Sequence, residues 1–303
     1  MFLQNLFLLS SVALPCYSQL AAEPSSGVTV GGGPGLTTLS DTGSTVSENV
    51  ASYEGNVSNY HLGYSDSDFE RPFAKYWNPE VQGMSDATQK GLSASPHASE
   101  LGYLQLENGW SVAEDGTLMI AILTDIGNVT GEMYDWWFGW HLVESARYKL
   151  WHLQAHRYAW RTPNTLAWTA TNASTLPSRY ISSHSFIDEY IGNSASKLTV
   201  NFVAPSDASA LAFDESTFAD RGIETIVVGR LHSGAHTTNV TGHSYLAHQV
   251  RRTADGCREL RSRFWLEQYT EQAAHDMMAH YNIEMQHLAS FLPALFEEFR
   301  DTA

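Results

Sequence analysis

The chain has 303 residues, 43% of them hydrophobic and 12% aromatic, enough for a substantial packed core in one large domain or two small ones. Its 17 Lys and Arg stand against 33 Asp and Glu, a formal charge of −16 that argues against binding to nucleic acid or an anionic membrane. Two cysteines exclude a disulfide framework, whereas 13 His and nine Trp are unusual counts, because both types gather at sites for metals or aromatic compounds.

Residues 2–14 form an uncharged, mostly apolar run, too short to span a bilayer. It reads as a secretory signal (1–18), with the small residues for cleavage after Ser18 or Ala22, although it lacks a basic start. The alternative is a buried N-terminal helix. Cleavage would remove Cys16 and leave Cys257 as the one thiol. Sequons at Asn56, Asn128, Asn172 and Asn239 fit the same secreted, glycosylated destination. The Gly, Ser, Thr and Pro of 19–50 read as a flexible leader, and the run Gly31 to Gly35 lacks the strand and Lys-bearing helix of a phosphate loop.

Residues 51–114 are punctuated by Pro and Gly and are expected to be irregular and partly helical. From 115 onward the pattern sharpens into one domain. Leu118 to Leu123 reads as a strand, and Thr130 caps a helix from Gly131 to about Leu142. Further strands are expected at Ser183 to Ile191, Lys197 to Val203, Ile223 to Leu231, Ser244 to Thr253 and Glu259 to Tyr269. The last segment, from about Thr270 to Arg300, has no Gly and reads as one long helix with Pro293 as a candidate kink. Strands followed by a long terminal helix imply an α+β fold with the helix packed across the concave face of a curved antiparallel sheet.

Met277, Tyr281, Glu284, Leu288, Phe291 and Leu295 fall on one stripe of that helix, with His280 one turn before Glu284. A carboxylate in the middle of an apolar stripe must be paired or coordinated. Its partner is either an Arg such as Arg261 or Arg263, or a metal ion. Alternation on the strand around Ile187 to Ile191 puts Glu189 on the face of the two Ile and Asp188 on the other; inward, Glu189 is a second buried acid, and outward it is solvated. His152 and His156 share a short aromatic stretch with Tyr148, where a His is as readily a core residue as a ligand. Two His and two Glu in one cavity would suit zinc. A nucleophilic Cys257 is disfavoured, since its Thr253 to Cys257 context reads as a tight turn.

The ordered segments at 127–141 (GNVTGEMYDWWFGWH), 147–156 (RYKLWHLQAH), 248–251 (HQVR), 255–266 (DGCRELRSRFWL) and 280–284 (HYNIE) resemble the 2,4-diacetylphloroglucinol hydrolase family over about residues 115–300. The resemblance implies a helix-grip domain like those of START proteins and pollen allergens. It also implies a zinc-dependent hydrolase that breaks the carbon–carbon bond between an acyl group and a polyhydroxylated aromatic ring, with a small aromatic ketone as substrate. Residue by residue it implies Zn²⁺ ligands His156, Glu189, His280 and Glu284, a substrate-binding and catalytic Tyr148, and His232 and Tyr245 at other ring hydroxyls, His232 with a catalytic part. Leu153 stands where the family pattern has Pro. Six of the nine Trp lie between 136 and 168 and are candidates for core or pocket wall, Trp140 and Trp151 for the substrate contact. The competing readings are a non-catalytic helix-grip carrier of an apolar aromatic ligand and a zinc hydrolase of a related aryl ketone such as phloretin.

Overall fold

A computed structural model describes residues 71–73, 107–113, 115–235, 244–267 and 270–301. The signal, the leader, Asn56, Asn239, Cys16 and nearly all of 51–114 lie outside the described residues. Within them the chain is α+β, with eight antiparallel strands in the order β1-β2-β8-β7-β6-β5-β4-β3 and a long C-terminal helix. The strands are β1 Gly109–Val112, β2 Leu118–Gly127, β3 His156–Trp160, β4 His184–Ile191, β5 Ser194–Val203, β6 Ile223–Ser233, β7 Tyr245–Arg252 and β8 Arg258–Leu266. The helices are α1 Gly131–Trp140, α2 Ser145–Trp151, α3 Pro163–Asn172 and α4 Glu271–Phe299. The expected strands and both expected helices are present; β1, β3, α2 and α3 are additions.

Strand alternation sorts the side chains onto two faces. Register places Phe202, Gly229, Leu246 and Phe264 in one row across β5, β6, β7 and β8, and the large members of that row belong to the main apolar core. The same core holds Trp136, Trp137 and Phe138 from α1 and Met277, Leu288, Phe291 and Leu295 from α4, so both helices cover this face. The other face carries Val203, Ile226, Val228 and Ala247 in a separate cluster under Leu211, Phe213 and Phe218. A one-residue slip in register would exchange the two sets.

Helix α1 starts as expected: the Thr130 side chain accepts a hydrogen bond from the backbone N–H of Met133. Gly131 donates its own N–H to Glu224 Oε2 at 2.8 Å, and a Cβ here would lie 2.7 Å from the Glu224 Cβ, so the helix end sits directly on β6. Thr130 is also the hydroxyl residue of the Asn128 sequon; Asn128 and Asn172 are both exposed. Helix α4 begins at the Thr270 cap and continues through Pro293. Its buried surface is wider than one stripe and includes Asn282, Ile283, Met285 and Phe296.

Candidate metal centre and substrate cavity

Each member of the centre is delivered by a different local rule. Helical spacing puts His280 and Glu284 on adjacent turns of α4, and both are 1% exposed. Strand alternation turns Ile187, Glu189 and Ile191 toward the same cavity. Asp188 faces away from it and is itself buried. His156 opens β3 directly opposite Glu189 in the β3–β4 pairing. Its Nδ1 lies 2.9 Å from the backbone oxygen of Tyr148, so Nδ1 carries the proton and donates it to that carbonyl. The Nε2 lone pair is then fixed toward Glu189 and Glu284.

The resulting distances fit one small cation. His156 Nε2 is 3.0 Å from Glu284 Oε2 and 3.6 Å from Glu189 Oε2; His280 Nε2 is 3.5 Å and 3.7 Å from the same two atoms. Four ligands at about 2.0–2.1 Å around a tetrahedral zinc would stand about 3.4 Å apart. The buried Nε2 atoms of both His, and Glu284 Oε1, accept or donate no hydrogen bond among the described residues. A lone pair facing a carboxylate at such distances is repulsive until a proton or a metal ion lies between them.

Burial works in one direction on all four. It pushes the Glu284 carboxyl well up and the Glu189 carboxyl up, and it pushes the imidazoles of His156 and His280 down. Glu189 is partly compensated by His280 and by the Tyr148 hydroxyl, which donates to Glu189 Oε2 at 2.5 Å. The Arg partners that could have neutralised Glu284 are engaged elsewhere, since Arg261 and Arg263 both bind the fully buried Glu107. Among the described residues His156, Glu189 and His280 form a group able to hold a metal ion, and Glu284 Oε2 lies within 3.0 and 3.5 Å of the two imidazole Nε2 atoms.

The centre opens into a cavity of about 920 Å³. Its lining includes the aromatic residues Phe138, His141, Tyr148, Trp151 and Phe202 and the aliphatic residues Leu198, Leu231, Leu246, Leu266 and Met277. Such a volume and lining suit a small organic ligand.

The family model described as DAPG hydrolase PhiG domain matches residues 93–297, more than half of the chain. The chain belongs to the DAPG hydrolase family. The chain is similar to phloretin hydrolase of Eubacterium ramulus, 29% identical over 214 residues, 64% of this chain and 73% of that protein. The 2,4-diacetylphloroglucinol hydrolase of Pseudomonas protegens is 23% identical over 270 residues, 76% of this chain and 85% of that protein. As a member of this family the chain is a hydrolase of carbon–carbon bonds in ketonic compounds.

Among the family-implied residues, the structure brings Tyr148, His156, Glu189, His280 and Glu284 together and puts Trp151 and His232 on the cavity wall. Tyr245 and Trp140 lie elsewhere. Tyr245 pairs with Arg230 and Trp265 in register and so falls on the opposite sheet face from the cavity residues Leu246 and His248. Trp140 is core: it stacks on Trp136 at 5.1 Å and meets Phe73 edge-on at 5.3 Å. The tryptophan wall reduces to Trp151, because Trp136 and Trp137 are core as well, Trp160 packs on Phe186 away from the cavity, and Trp168 is 49% exposed. Cys257 sits in the expected turn but is disulfide-bonded, not the single thiol expected.

Two histidines not picked out by sequence join the site. His141 stacks on Trp137 at 4.4 Å, and its Nδ1 is 2.6 Å from the Trp137 carbonyl oxygen, which again makes Nδ1 the donor and leaves Nε2 as a lone-pair acceptor. Burial pushes its pKa well down, so the ring stays neutral. His248 also lines the cavity, within 2.8 Å of Ser262 Oγ, with burial pushing its pKa down to about 3.

Proposed function

We propose that this protein is a zinc-dependent hydrolase that cleaves the bond between an acyl carbon and a polyhydroxylated aromatic ring, releasing a carboxylic acid and the deacylated ring. The observation that carries the reading is the set of four buried donors, His156, Glu189, His280 and Glu284, without a basic partner and beside an aromatic-lined cavity. The names of the relatives, a phloretin hydrolase and a 2,4-diacetylphloroglucinol hydrolase, support an acylphloroglucinol or a related aryl ketone as substrate. The sheet and α4 are read as the helix-grip arrangement, with the substrate held between them.

Zinc in this centre supplies Lewis acidity toward a carbonyl oxygen and toward water. The protein's part is to make the ring a leaving group. One water adds its oxygen to the acyl carbon, the ring–acyl bond breaks, and its electron pair stays on the ring carbon, which must take up a proton. That carbon is a poor leaving group unless the ring is first protonated there and becomes a keto tautomer. Tyr148 is suited to hold a ring oxygen by hydrogen bonding: burial and the adjacent Glu189 carboxylate push its pKa well up, so the hydroxyl stays protonated. The neutral His141, with an accepting Nε2, is suited to take a proton from a ring hydroxyl. His232, near the end of β6, lines the cavity and is the candidate for a second contact to the ring hydroxyls. Trp151, Phe138 and Phe202 give the flat ring apolar surface and exclude water from it.

A carrier of an aromatic ligand would use the same cavity but has no use for four converging donors. The deciding experiment is metal analysis of the purified protein with a screen of acylphloroglucinols for acid release. About one zinc per chain and acid released in step with substrate consumed are expected. Metal-free protein with full turnover, or ligand binding without turnover at full metal loading, overturns the reading.

The same proposal puts the protein in the secretory pathway, supported by the apolar start of the chain. Cys16, one of the two cysteines, precedes both cleavage positions, so leader removal and an intrachain bridge to Cys257 exclude each other. The intact mass of the protein from the culture medium, with and without reduction, decides between a trimmed chain and a bridged one.

A further inference from the structure

Strand β7 runs along the cavity from its open side to its floor. Ser244, just before the strand, is half-buried; Leu246 and His248 follow inward on the same face, and the next residue of that face, Val250, belongs to the core. His248 is thus the innermost cavity residue of this strand. Across the sheet it pairs with Val227 on one side and with Ser262 on the other, and Ser262 pairs in turn with Ile122. A buried His–Ser pair in an otherwise apolar row costs desolvation that two apolar side chains would not. Resting on the proposed function, we infer that His248 recognises the substrate: it donates a hydrogen bond from Nε2 to the ring oxygen para to the acyl group, and so selects rings that carry an oxygen there.

The direction of the bond follows from Ser262. Its hydroxyl is buried, and among the described residues its one acceptor is His248 Nδ1 at 2.8 Å. A buried hydroxyl proton needs an acceptor, so Ser262 donates, Nδ1 accepts, and the single proton of the neutral ring lies on Nε2. His141 has the reverse order, with Nδ1 donating to the Trp137 carbonyl and Nε2 left to accept. The two imidazoles therefore offer a substrate ring one donor and one acceptor. Position follows from the rings around them. On α4 Tyr281 is 5.3 Å from His280 and 5.8 Å from His248, so a single ring bridges from the donor centre to His248. From α1, Phe138 is 5.2 Å from His141 and 6.1 Å from His248, and all of these rings except His280 line the cavity. A substrate ring beside Tyr281, with its acyl carbon at the centre, turns its far edge toward His248. The para oxygen is the substituent on that edge; the two ortho oxygens flank the acyl group.

The test is a cycle of two rings against two proteins. An alkylphloroglucinol and the alkylresorcinol that lacks only the para hydroxyl, neither of which has an acyl bond to cleave, are titrated calorimetrically into the zinc-loaded parent and His248→Leu. The parent should bind the para-hydroxylated ring about tenfold more tightly, the weight of one neutral hydrogen bond, and His248→Leu should bind the two alike. His248→Gln, whose amide can still donate, should recover a preference of roughly threefold or more. In kcat/KM for acid release, the corresponding acyl rings should show the same coupling to residue 248. Equal binding of the two rings by the parent, or an equal loss for both in His248→Leu, overturns the inference, and the comparison within the parent decides even if a variant does not fold. Coupled binding with no acid released from any acyl ring instead sinks the hydrolase reading and leaves the His248 assignment standing.

Discussion

Two clusters of buried acid in this molecule are built for opposite ends. Glu107 is fully buried and lies against Arg261 and Arg263, two cations of its own chain. Glu189 and Glu284 are equally hidden, yet the groups facing them are imidazoles whose pKa burial pushes down, and a phenol. In the first cluster folding alone completes the charge balance, so its function is to hold β8 to the segment before β1. In the second no Lys or Arg among the described residues completes the balance, which the proposed metal ion would complete. The comparison teaches that a buried carboxylate is informative only once its cation has been found.

The largest effects come from breaking each cluster in turn. Glu284→Gln keeps shape and hydrogen-bonding capacity but removes the charge that holds the cation, so bound zinc and turnover should both collapse, turnover by 100-fold or more. Glu107→Gln strands two partly buried guanidinium groups and should cost about 3–5 kcal/mol of stability while leaving zinc affinity intact. Melting temperature and metal content, measured for both variants with Gln286→Glu as a control on α4, separate the two. Retention of stoichiometric zinc at parental affinity by Glu284→Gln would end the ligand assignment.

Metal removal is the next test and leaves the sequence intact. Dialysis against a chelator should abolish turnover, and readdition of zinc at about 1,000 times its Kd should stabilise the fold by about 4 kcal/mol. Chelator-treated Glu284→Gln should show almost none of that gain. A parent protein whose melting temperature ignores the ion would place the four donors in a purely structural network.

Tyr148→Phe probes the border between the centre and the cavity. Its hydroxyl donates to Glu189 Oε2, the oxygen that faces both His, but is not one of the four proposed ligands, so zinc should be retained while kcat falls by about 10²-fold or more. Loss of zinc in proportion to activity would make the hydroxyl a support for Glu189 only.

How much of this was legible in the sequence depended on the range of the interaction. Period alone put Glu284 on the apolar stripe of its helix and Glu189 on the strand face of Ile187 and Ile191, since helix and strand repeats fix direction within a few residues; it left open which way that strand face turned and what pairs with Glu284. The cation of Glu107 was not, because Arg261 is 154 residues away in the chain. Trp140 and Tyr245 show a second limit: each sits beside residues that do line the cavity, and one step of helix or strand phase sends them to the core and to the other sheet face. His141 was passed over because its role rests on a carbonyl acceptor, Trp137, that composition does not display. His156 was legible as a ligand only through the order of several motifs, since the strand β3 that aims it is five residues long and bulged.

The smallest predicted effect concerns another buried acid, Asp135, which has no arginine partner among the described residues. Asp135 on α1 accepts hydrogen bonds from the Tyr180 hydroxyl at 2.7 Å and the Thr225 hydroxyl at 2.9 Å, both on Oδ1. Desolvation outweighs these bonds and pushes its pKa up to about 6. The proton is thus bound more tightly in the folded state than in the unfolded chain, where an Asp titrates near about 3.9. The stability this supplies is complete below that lower value and is lost as pH rises through about 6. Asp135→Asn keeps an oxygen for both hydroxyls and has no charge to desolvate. Relative to the parent, the variant should therefore gain up to about 3 kcal/mol between pH 4 and pH 7, since each pKa unit is worth about 1.36 kcal/mol. Urea unfolding of both proteins at those two pH values measures the difference directly. A gap that stays constant with pH would mean that Asp135 is ionised in the fold at both, and that two neutral hydroxyls suffice where Glu284 needs a cation.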